Sequence, residues 1–182
     1  GRSELIKLKT QYYAMLKKLP FPTVQSDSRS HIIVLKNLKR TSFNIGPYEN
    51  ISIFEAANRI ATDLTMIDGV IGLIEKHKNL KNAKVILRFG STHEKGRGDF
   101  SFLLKNGYEY EGECFDVAAS FFRNKLYKTL KKWDGDDRFR FLVFNKDVLE
   151  DKRCDKYFNT RMNQLNNKIT VETVNIWNAV EI

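Results

Sequence analysis

Apolar residues recur at helical spacing in two long parts of the chain. The first runs from residue 3 to residue 19 and ends at Pro20, because proline cannot continue a helix. The second covers residues 53–74 and gives the clearest helical pattern in the sequence. Gly69 and Gly72 lie inside this second segment and predict a bend or a break in the helix.

After a loop rich in Lys and Asn, the period of the pattern changes from that of a helix to that of a strand. Residues 85–89, 100–104 and 108–115 have the length and alternation of β-strands. Asn106 and Gly107 predict a tight hairpin turn between the last two of them. Three strands therefore follow the long helix directly.

The remainder of the chain alternates helix and strand. Asp116 is the predicted N-cap of a helix over residues 117–133, since an aspartate side chain satisfies free amides at a helix start. The patterns that follow predict a strand over 138–145, a helix over 147–167 and a last strand over 169–177.

These elements together predict an α/β protein in which helices flank a central mixed sheet. Residues 50–182 would form this core and residues 1–49 an N-terminal helical segment for partner contacts, with the whole chain being one compact domain. Within the N-terminal segment, the short apolar run at 31–38 fits either a helix or a strand.

The chain carries a large excess of positive charge. Its 182 residues include 31 Lys and Arg against 22 Asp and Glu, which gives a formal net charge of +9. Such a surplus favours a polyanionic partner, although a basic but inert surface would have the same composition.

Cysteine usage and the lack of long apolar runs indicate the cellular setting. Cys114 and Cys154 lie far apart and form no zinc-binding motif, which fits a reducing, cytoplasmic compartment. No apolar run reaches the length of a membrane span and no secretory signal opens the chain, so we expect a soluble protein with no membrane contact.

Acidic residues are concentrated on the hairpin. Glu109, Glu111 and Glu113 alternate along the third strand and therefore share a face, and Asp99 begins the strand that pairs with it. Acidic residues that alternate along a strand often only form the solvent-exposed face of a sheet. The helix that follows at once argues against a free edge here, and Gly98 beside Asp99 permits a close approach. We therefore expect a divalent cation to hold these carboxylates.

This hairpin resembles the catalytic motif of the PD-(D/E)XK nucleases, and the similarity extends from about residue 50 to residue 177. Gly98-Asp99 stands where the family has Pro-Asp, and Glu111-Gly112-Glu113 stands where it has Glu-x-Lys, a variant known in restriction endonucleases with Glu-x-Glu. In a second register, Glu113-Cys114-Phe115 is the equivalent of Glu-x-Lys and Lys125 replaces the missing lysine. We favour the first register and keep the second open.

The resemblance implies a restriction-endonuclease-like αβββαβ core and a Mg²⁺-dependent DNA endonuclease in which Mn²⁺ could substitute. Asp99 and Glu111 would bind the metal, and Glu113 would orient or deprotonate the attacking water. Such folds often take a further acid from the preceding helix, for which Glu55 is the first candidate and Glu75 the second; the commoner role of such residues is that of a solvated helix residue.

Basic residues near the hairpin are candidates for contacts to DNA phosphates, which give affinity without sequence preference. The alternative for all of them is an ordinary solvated surface. The candidates lie in the loop before the hairpin and on the helix after it: His93, Lys95 and Arg97, then Arg123, Lys125, Lys128, Lys131 and Lys132.

The predicted partner is double-stranded DNA. Because the chain is small for an enzyme that reads a site and cuts two strands, a homodimer or a separate recognition subunit is expected. Two alternatives stay open: a repair or recombination nuclease on the same fold, and a nuclease-like DNA-binding module without catalysis, for which the missing lysine is the argument.

Overall fold

Helices and strands alternate along most of the chain in a computed structural model that describes residues 1–21, 28–89, 95–165 and 168–178. The helices are α1 (Arg2–Leu16), α2 (Ser28–Arg40), α3 (Ile53–Lys76), α4 (Ala119–Lys132) and α5 (Lys152–Gln164). The strands are β1 (Ser42–Ile45), β2 (Tyr48–Ser52), β3 (Lys84–Leu87), β4 (Phe100–Leu103), β5 (Glu109–Phe115), β6 (Phe139–Asn145) and β7 (Thr170–Val174). Short 3₁₀ turns cover Lys78–Leu80, Lys146–Glu150 and Ile176–Asn178.

Five strands form one mixed sheet in the order β3-β4-β5-β6-β7. The first three make an antiparallel meander, and β5, β6 and β7 run parallel to one another. The predicted α/β class and mixed sheet are confirmed. β5 is the middle strand, as expected from the helix that follows it.

Each face of the sheet carries its own apolar core. α3 covers one face, where its buried side chains meet residues such as Phe100, Phe102 and Val143. α4 and α5 cover the other face, and there Phe122 and Leu126 pack against β-strand residues that include Phe144. The alternation of side chains along β5 and β6 sends neighbouring residues into opposite cores.

α3 continues without a break through both of its glycines, so the predicted break is wrong. The glycines serve packing instead. A Cβ atom at Gly69 would lie 2.1 Å from a methyl of Val143, and one at Gly72 would lie 2.6 Å from a carboxylate oxygen of Glu172. Their missing side chains let the helix lie directly on the sheet.

The N-terminal segment packs on α3 and shares its core. Lys9 forms an ion pair with Asp68 at 2.7 Å, and Arg2 pairs with Glu75 at 2.5 Å. The run at 31–38 falls within helix α2, and the antiparallel β1–β2 hairpin was not expected from the sequence. Residues 1–49 are thus joined to the rest by a common core.

Two predicted helix starts are wrong. α4 begins at Ala119, with Ala118 as an N-cap that makes no side-chain hydrogen bond, so Asp116 does not cap it. α5 begins at Lys152 after a 3₁₀ turn, and its cap is Asp151, whose side chain accepts from the amides of two following residues. In both places a few residues beyond the strand are needed before the chain can turn back over the sheet.

None of the helices in the part of the chain that the structure describes is long and apolar enough to cross a membrane.

Candidate functional site

A cleft of about 300 Å³ opens where β5 ends, between α3 and the start of α4. It is the place where side chains from the long helix, the hairpin and the following helix meet. The lining residues are Asn58, Arg59, Thr62, Asp63, Met66, Arg88, Asp99, Cys114, Phe115, Asp116, Val117 and Lys125. Three of these are aspartates and three carry a positive charge, so the cleft combines both signs of charge.

Asp99 lies at the entry to β4 and is held by the neighbouring strands. Its Oδ2 accepts a hydrogen bond of 2.8 Å from the amide of Cys114, and its carbonyl accepts one of 2.9 Å from the amide of Arg88. Gly98 is required just before it, because a Cβ atom there would lie 2.2 Å from the carbonyl oxygen of Gly112. The sequence placed both residues correctly at the start of this strand.

Lys125 lines the same cleft as Asp99. It stands in the first half of α4 with its Nζ 5.7 Å from the centre of the Phe115 ring. The structure therefore places Lys125, the substitute lysine of the second register, in one cleft with Asp99.

Asp63 is the acid that α3 contributes to the cleft, and sequence reasoning missed it. Its side chain is buried and accepts hydrogen bonds from the hydroxyls of Tyr12, at 2.8 Å, and Tyr48. Burial, and then the charge of Asp63, raise the pKa of both tyrosines, so both hydroxyls stay protonated as donors. The available signal was a lone acid between Ile60 and Ile67 on the apolar stripe of the helix, since a buried acid needs partners.

Arg59 and Arg88 were also missed as members of the site. Arg59 reaches the cleft from α3, and Arg88 does so from the residue after β3. The Arg88 guanidinium donates to the carbonyl of Gly98 at 3.1 Å and to the Ser101 hydroxyl at 2.8 Å. It thereby ties the chain before Asp99 to the middle of the sheet.

Glu111 lies outside the cleft, in a fully buried position at the base of the hairpin. Its Oε1 accepts from Arg97 at 2.8 Å. Its Oε2 accepts from the amide of Gly98 at 2.9 Å and from the Ser101 hydroxyl at 2.8 Å. With these donors in place, Glu111 fixes the chain before Asp99 to the hairpin. It does not share the cleft with Asp99.

Glu113 is buried on the α4 side of the sheet. One of its oxygens accepts hydrogen bonds from Lys132 at 2.5 Å and from the indole of Trp133 at 2.7 Å. Burial, and then the negative charge of Asp99, raise the pKa of this carboxyl, and the bonds from Lys132 and Trp133 oppose the rise. Glu113, like Glu111, does not line the cleft with Asp99.

Glu55 and Glu75 are not brought to Asp99. Glu55 forms the capping box at the start of α3, where its carboxylate accepts from the amide of Ser52. Glu75 is at the opposite end of the same helix and pairs with Arg2. Twenty residues of helix separate these two positions, which amounts to roughly 30 Å.

The predicted DNA contacts fall into three groups. His93 lies outside the described residues. Arg97 is engaged by Glu109 at 2.6 Å and by Glu111, so it supports the hairpin. Lys95 and Lys128 are exposed, and Arg123 lies over the Tyr157 ring at 5.3 Å.

Helices α4 and α5 together form a strongly basic layer. They contain nine basic residues and one acidic residue, Asp155. The basic residues are Arg123, Lys125, Lys128, Lys131 and Lys132 on α4, and Lys152, Arg153, Lys156 and Arg161 on α5. Since Lys125 belongs to this layer and also lines the cleft, the basic surface adjoins the candidate site.

No group of three or more His, Cys, Asp or Glu side chains is arranged to hold a metal ion among residues 1–21, 28–89, 95–165 and 168–178. Comparison with protein-family models, with curated proteins and with solved structures found no match to this chain.

Proposed function

We propose that this chain is a Mg²⁺-dependent endonuclease that hydrolyses phosphodiester bonds in double-stranded DNA, with its reaction centre at Asp99. The observation that carries the proposal is the presence of Asp99 and Lys125 in one cleft. The order α3-β3-β4-β5-α4-β6 supports it, because this is the αβββαβ order that the resemblance to PD-(D/E)XK nucleases implies.

We adopt the second register of the motif because its lysine, Lys125, lines the cleft with Asp99. Neither glutamate lines the cleft: Glu111 is enclosed by Arg97, Gly98 and Ser101, and Glu113 accepts from Lys132 and Trp133. We therefore assign Asp99 and Lys125 to the roles that Asp and Lys have in the family, with Glu113 in the sequence position of the family's Glu but held by α4. Asp63 takes the place first given to Glu55 as the acid of the preceding helix.

The donor set fits Mg²⁺, which proteins commonly hold through one or two carboxylates, with water and substrate phosphate completing the shell. Asp99 would be its principal ligand. When bound, Mg²⁺ would lower the pKa of a coordinated water and offset negative charge on the phosphate. Mn²⁺ prefers the same oxygen ligands and is expected to substitute.

The chain's own residues would stabilise the charge that develops on the reacting phosphate. The Lys125 ammonium and the Arg59 guanidinium line the cleft and supply positive charge there. Arg88 and the Cys114 amide hold the backbone and the side chain around Asp99, so this carboxylate is preorganised. The basic layer of α4 and α5 would bind the DNA backbone beside the cleft through salt-dependent phosphate contacts.

The main alternative is a DNA-binding module without catalysis. It is favoured by the contacts of Glu113, because Lys132 and Trp133 already engage one of its oxygens. A repair or recombination nuclease would use the same cleft and differ in the DNA structure it selects.

Incubation of supercoiled plasmid with the protein and Mg²⁺ or Mn²⁺ tests the proposal. We expect cleavage by the wild type and a loss of about 100-fold or more for Asp99→Asn and for Lys125→Met, since both remove charge at the reacting phosphate. Asp137→Asn and Lys78→Met are matched controls at exposed positions and should cleave normally.

The form of the DNA product distinguishes the proposed functions. Discrete linear fragments support a restriction-like enzyme, and nicked circles alone indicate a subunit that needs a partner or a second copy. Preference for branched over linear DNA supports a repair or recombination nuclease. DNA binding without cleavage in either metal ion would contradict the enzyme and support the inactive module.

A further inference from the structure

A second group of polar side chains lies at the carboxyl ends of β5 and β6. Phe115, the last residue of β5, pairs with Phe144 of the parallel strand β6. The next residue of each strand, Asp116 and Asn145, therefore stands at the same edge of the sheet, and Asp147 follows two residues later. The carboxyl ends of parallel strands are the usual place for ligands in α/β proteins.

Three buried side-chain atoms of this group have no hydrogen-bond partner among the described residues. The Asn145 side chain is 1% exposed, and neither its oxygen nor its nitrogen has a hydrogen-bond partner among the described residues. Oδ1 of Asp147 is buried and also without a partner. Buried amides and carboxylates are almost always satisfied in folded proteins, because leaving them unpaired is costly.

The two carboxylates of the group repel each other. Burial raises the pKa of Asp116, the Asn145 side chain opposes the rise, and the negative charge of Asp147 adds to it. Neither aspartate takes part in any of the ion pairs formed within the described part of the chain. Within the described residues, neither carboxylate is at ion-pair distance from a basic side chain, so the site gathers negative charge.

A further buried oxygen lies on the helix that covers this part of the sheet. Thr65 of α3 is fully buried and its hydroxyl has no partner in the described structure. It stands one turn after Thr62, whose carbonyl accepts from Sγ of Cys114, and one turn before Gly69, which lies on Val143. Side chains alternate along β6, so Asn145 faces α3 as Val143 does.

We propose that Asp116, Asn145 and Asp147 form a binding site for a divalent cation, separate from the centre at Asp99. Two carboxylates and an amide oxygen are ligands that hard cations such as Mg²⁺, Ca²⁺ and Mn²⁺ prefer, with water completing the shell. A bound cation would satisfy the Asn145 oxygen and the free Asp147 oxygen, and it would balance the two negative charges. Asp116 also lines the cleft, which gives the ion a path from solvent.

Binding of Mn²⁺ alone, followed by electron paramagnetic resonance of the free ion, tests this site without reference to cleavage. We expect Asp147→Asn and Asn145→Leu each to weaken one Mn²⁺ site per chain by 10-fold or more, and Asp99→Asn to leave that site intact. Asp137→Asn is the matched control at an exposed position of the preceding loop and should bind as the wild type does.

Thermal melting of the same variants shows whether each of them is folded. Asp147→Asn keeps the shape of the side chain and removes a repulsive charge, so it should melt at or above the wild-type temperature without metal. Only the wild type, the Asp99→Asn variant and the control should gain stability through this site when Mn²⁺ is added, because a ligand stabilises only the state that binds it.

The experiments test the proposed cation site and the proposed nuclease activity independently. Wild-type protein that binds no Mn²⁺, or Asp147→Asn protein that binds it as tightly as the wild type, would overturn the site and leave a water-filled hydrogen-bond network as its explanation. Mn²⁺ binding that only Asp99→Asn abolishes would overturn it as well and would support the catalytic centre. Loss in Asp147→Asn with retention in Asp99→Asn supports the site whether or not the chain cleaves DNA.

Discussion

The acids on the two sides of β5 have different surroundings. On the α4 side and at the base of the hairpin, Glu109, Glu111 and Glu113 each meet a basic side chain at 2.5 to 2.8 Å. In the cleft, Asp63 accepts from tyrosine hydroxyls and Asp99 accepts from a backbone amide. The three glutamates of the hairpin are bound to basic side chains, whereas Asp63 and Asp99 line an open cleft.

This contrast separates acids that build the hairpin from acids that a ligand can use. A carboxylate held by arginine and by backbone amides has a structural role, and removing it leaves a charge unpaired in the interior. A carboxylate that lines an open cleft can meet an external cation. The sequence alone does not show which acid has which role, and the following four substitutions test the distinction.

Glu111→Gln should cause the largest loss of stability. The variant removes a fully buried charge that faces Arg97 at 2.8 Å and Arg88 at 3.7 Å, and breaking such a buried pair costs about 3 kcal/mol or more in free energy of unfolding. Urea denaturation at neutral pH measures it. Glu109→Gln is the control, since this partly exposed pair with Arg97 should contribute less than about 1 kcal/mol. Equal losses for the two variants would contradict a special role for Glu111.

Asp63→Asn should cost less, about 1 to 2 kcal/mol, because the amide can still accept one of the two tyrosine hydrogen bonds. It should also lower the alkaline pKa of Tyr12 and Tyr48, since the charge of Asp63 contributes to raising both. Ultraviolet titration of tyrosine ionisation measures this change, with Tyr12→Phe and Tyr48→Phe to assign the signals. Unchanged titration would show that the Asp63 charge does not reach these hydroxyls.

Glu113→Gln should change how stability depends on pH. Burial and Asp99 raise the pKa of Glu113 in the folded state, so the folded state favours the protonated form. Wild-type stability should therefore fall relative to Glu113→Gln as the pH rises from about 4.3, the value of an unfolded glutamate, through the raised pKa. Denaturation of both proteins between about pH 4 and pH 8 tests the sign. Adding Asp99→Asn should shrink the difference, and an opposite slope would contradict the coupling.

Asp99→Asn should have the smallest effect on stability, within about 0.5 kcal/mol, because asparagine can still accept the hydrogen bond from the Cys114 amide. The same variant is expected to abolish plasmid cleavage. Loss of activity with unchanged denaturation would place Asp99 firmly among the acids that serve a ligand. A large loss of stability would instead give it the structural role of Glu111.

Much of the fold could be read from the sequence because its signals are local. The helical stripe of α3, the alternation along β5 and the turn at Gly107 depend on neighbours within a few residues. The first residues of helices were harder to predict. The Asp116 side chain could cap a helix, but two more residues precede the start of α4 at Ala119. The β1–β2 hairpin was missed because its short strands carry no long alternating pattern.

The candidate site was predicted only in part. Asp99 and Lys125 were named from the sequence, and the structure places them together, whereas Glu55 is a helix cap and Glu111 supports the hairpin. Asp63 was not predicted as a site residue because its role depends on Tyr12 and other residues far away in the chain.

The sequence by itself determined the alternation of helices and strands, the basic character of α4 and α5, and the position of acids along β5, since each follows from residue type and local period. The tertiary structure alone decided which acids are bound to basic side chains and which face a cleft. That outcome depends on the pairing of strands and the packing of α3 and α4 on opposite faces of the sheet. Distance and burial set the strength of charge interactions, and neither is encoded in a short stretch of sequence.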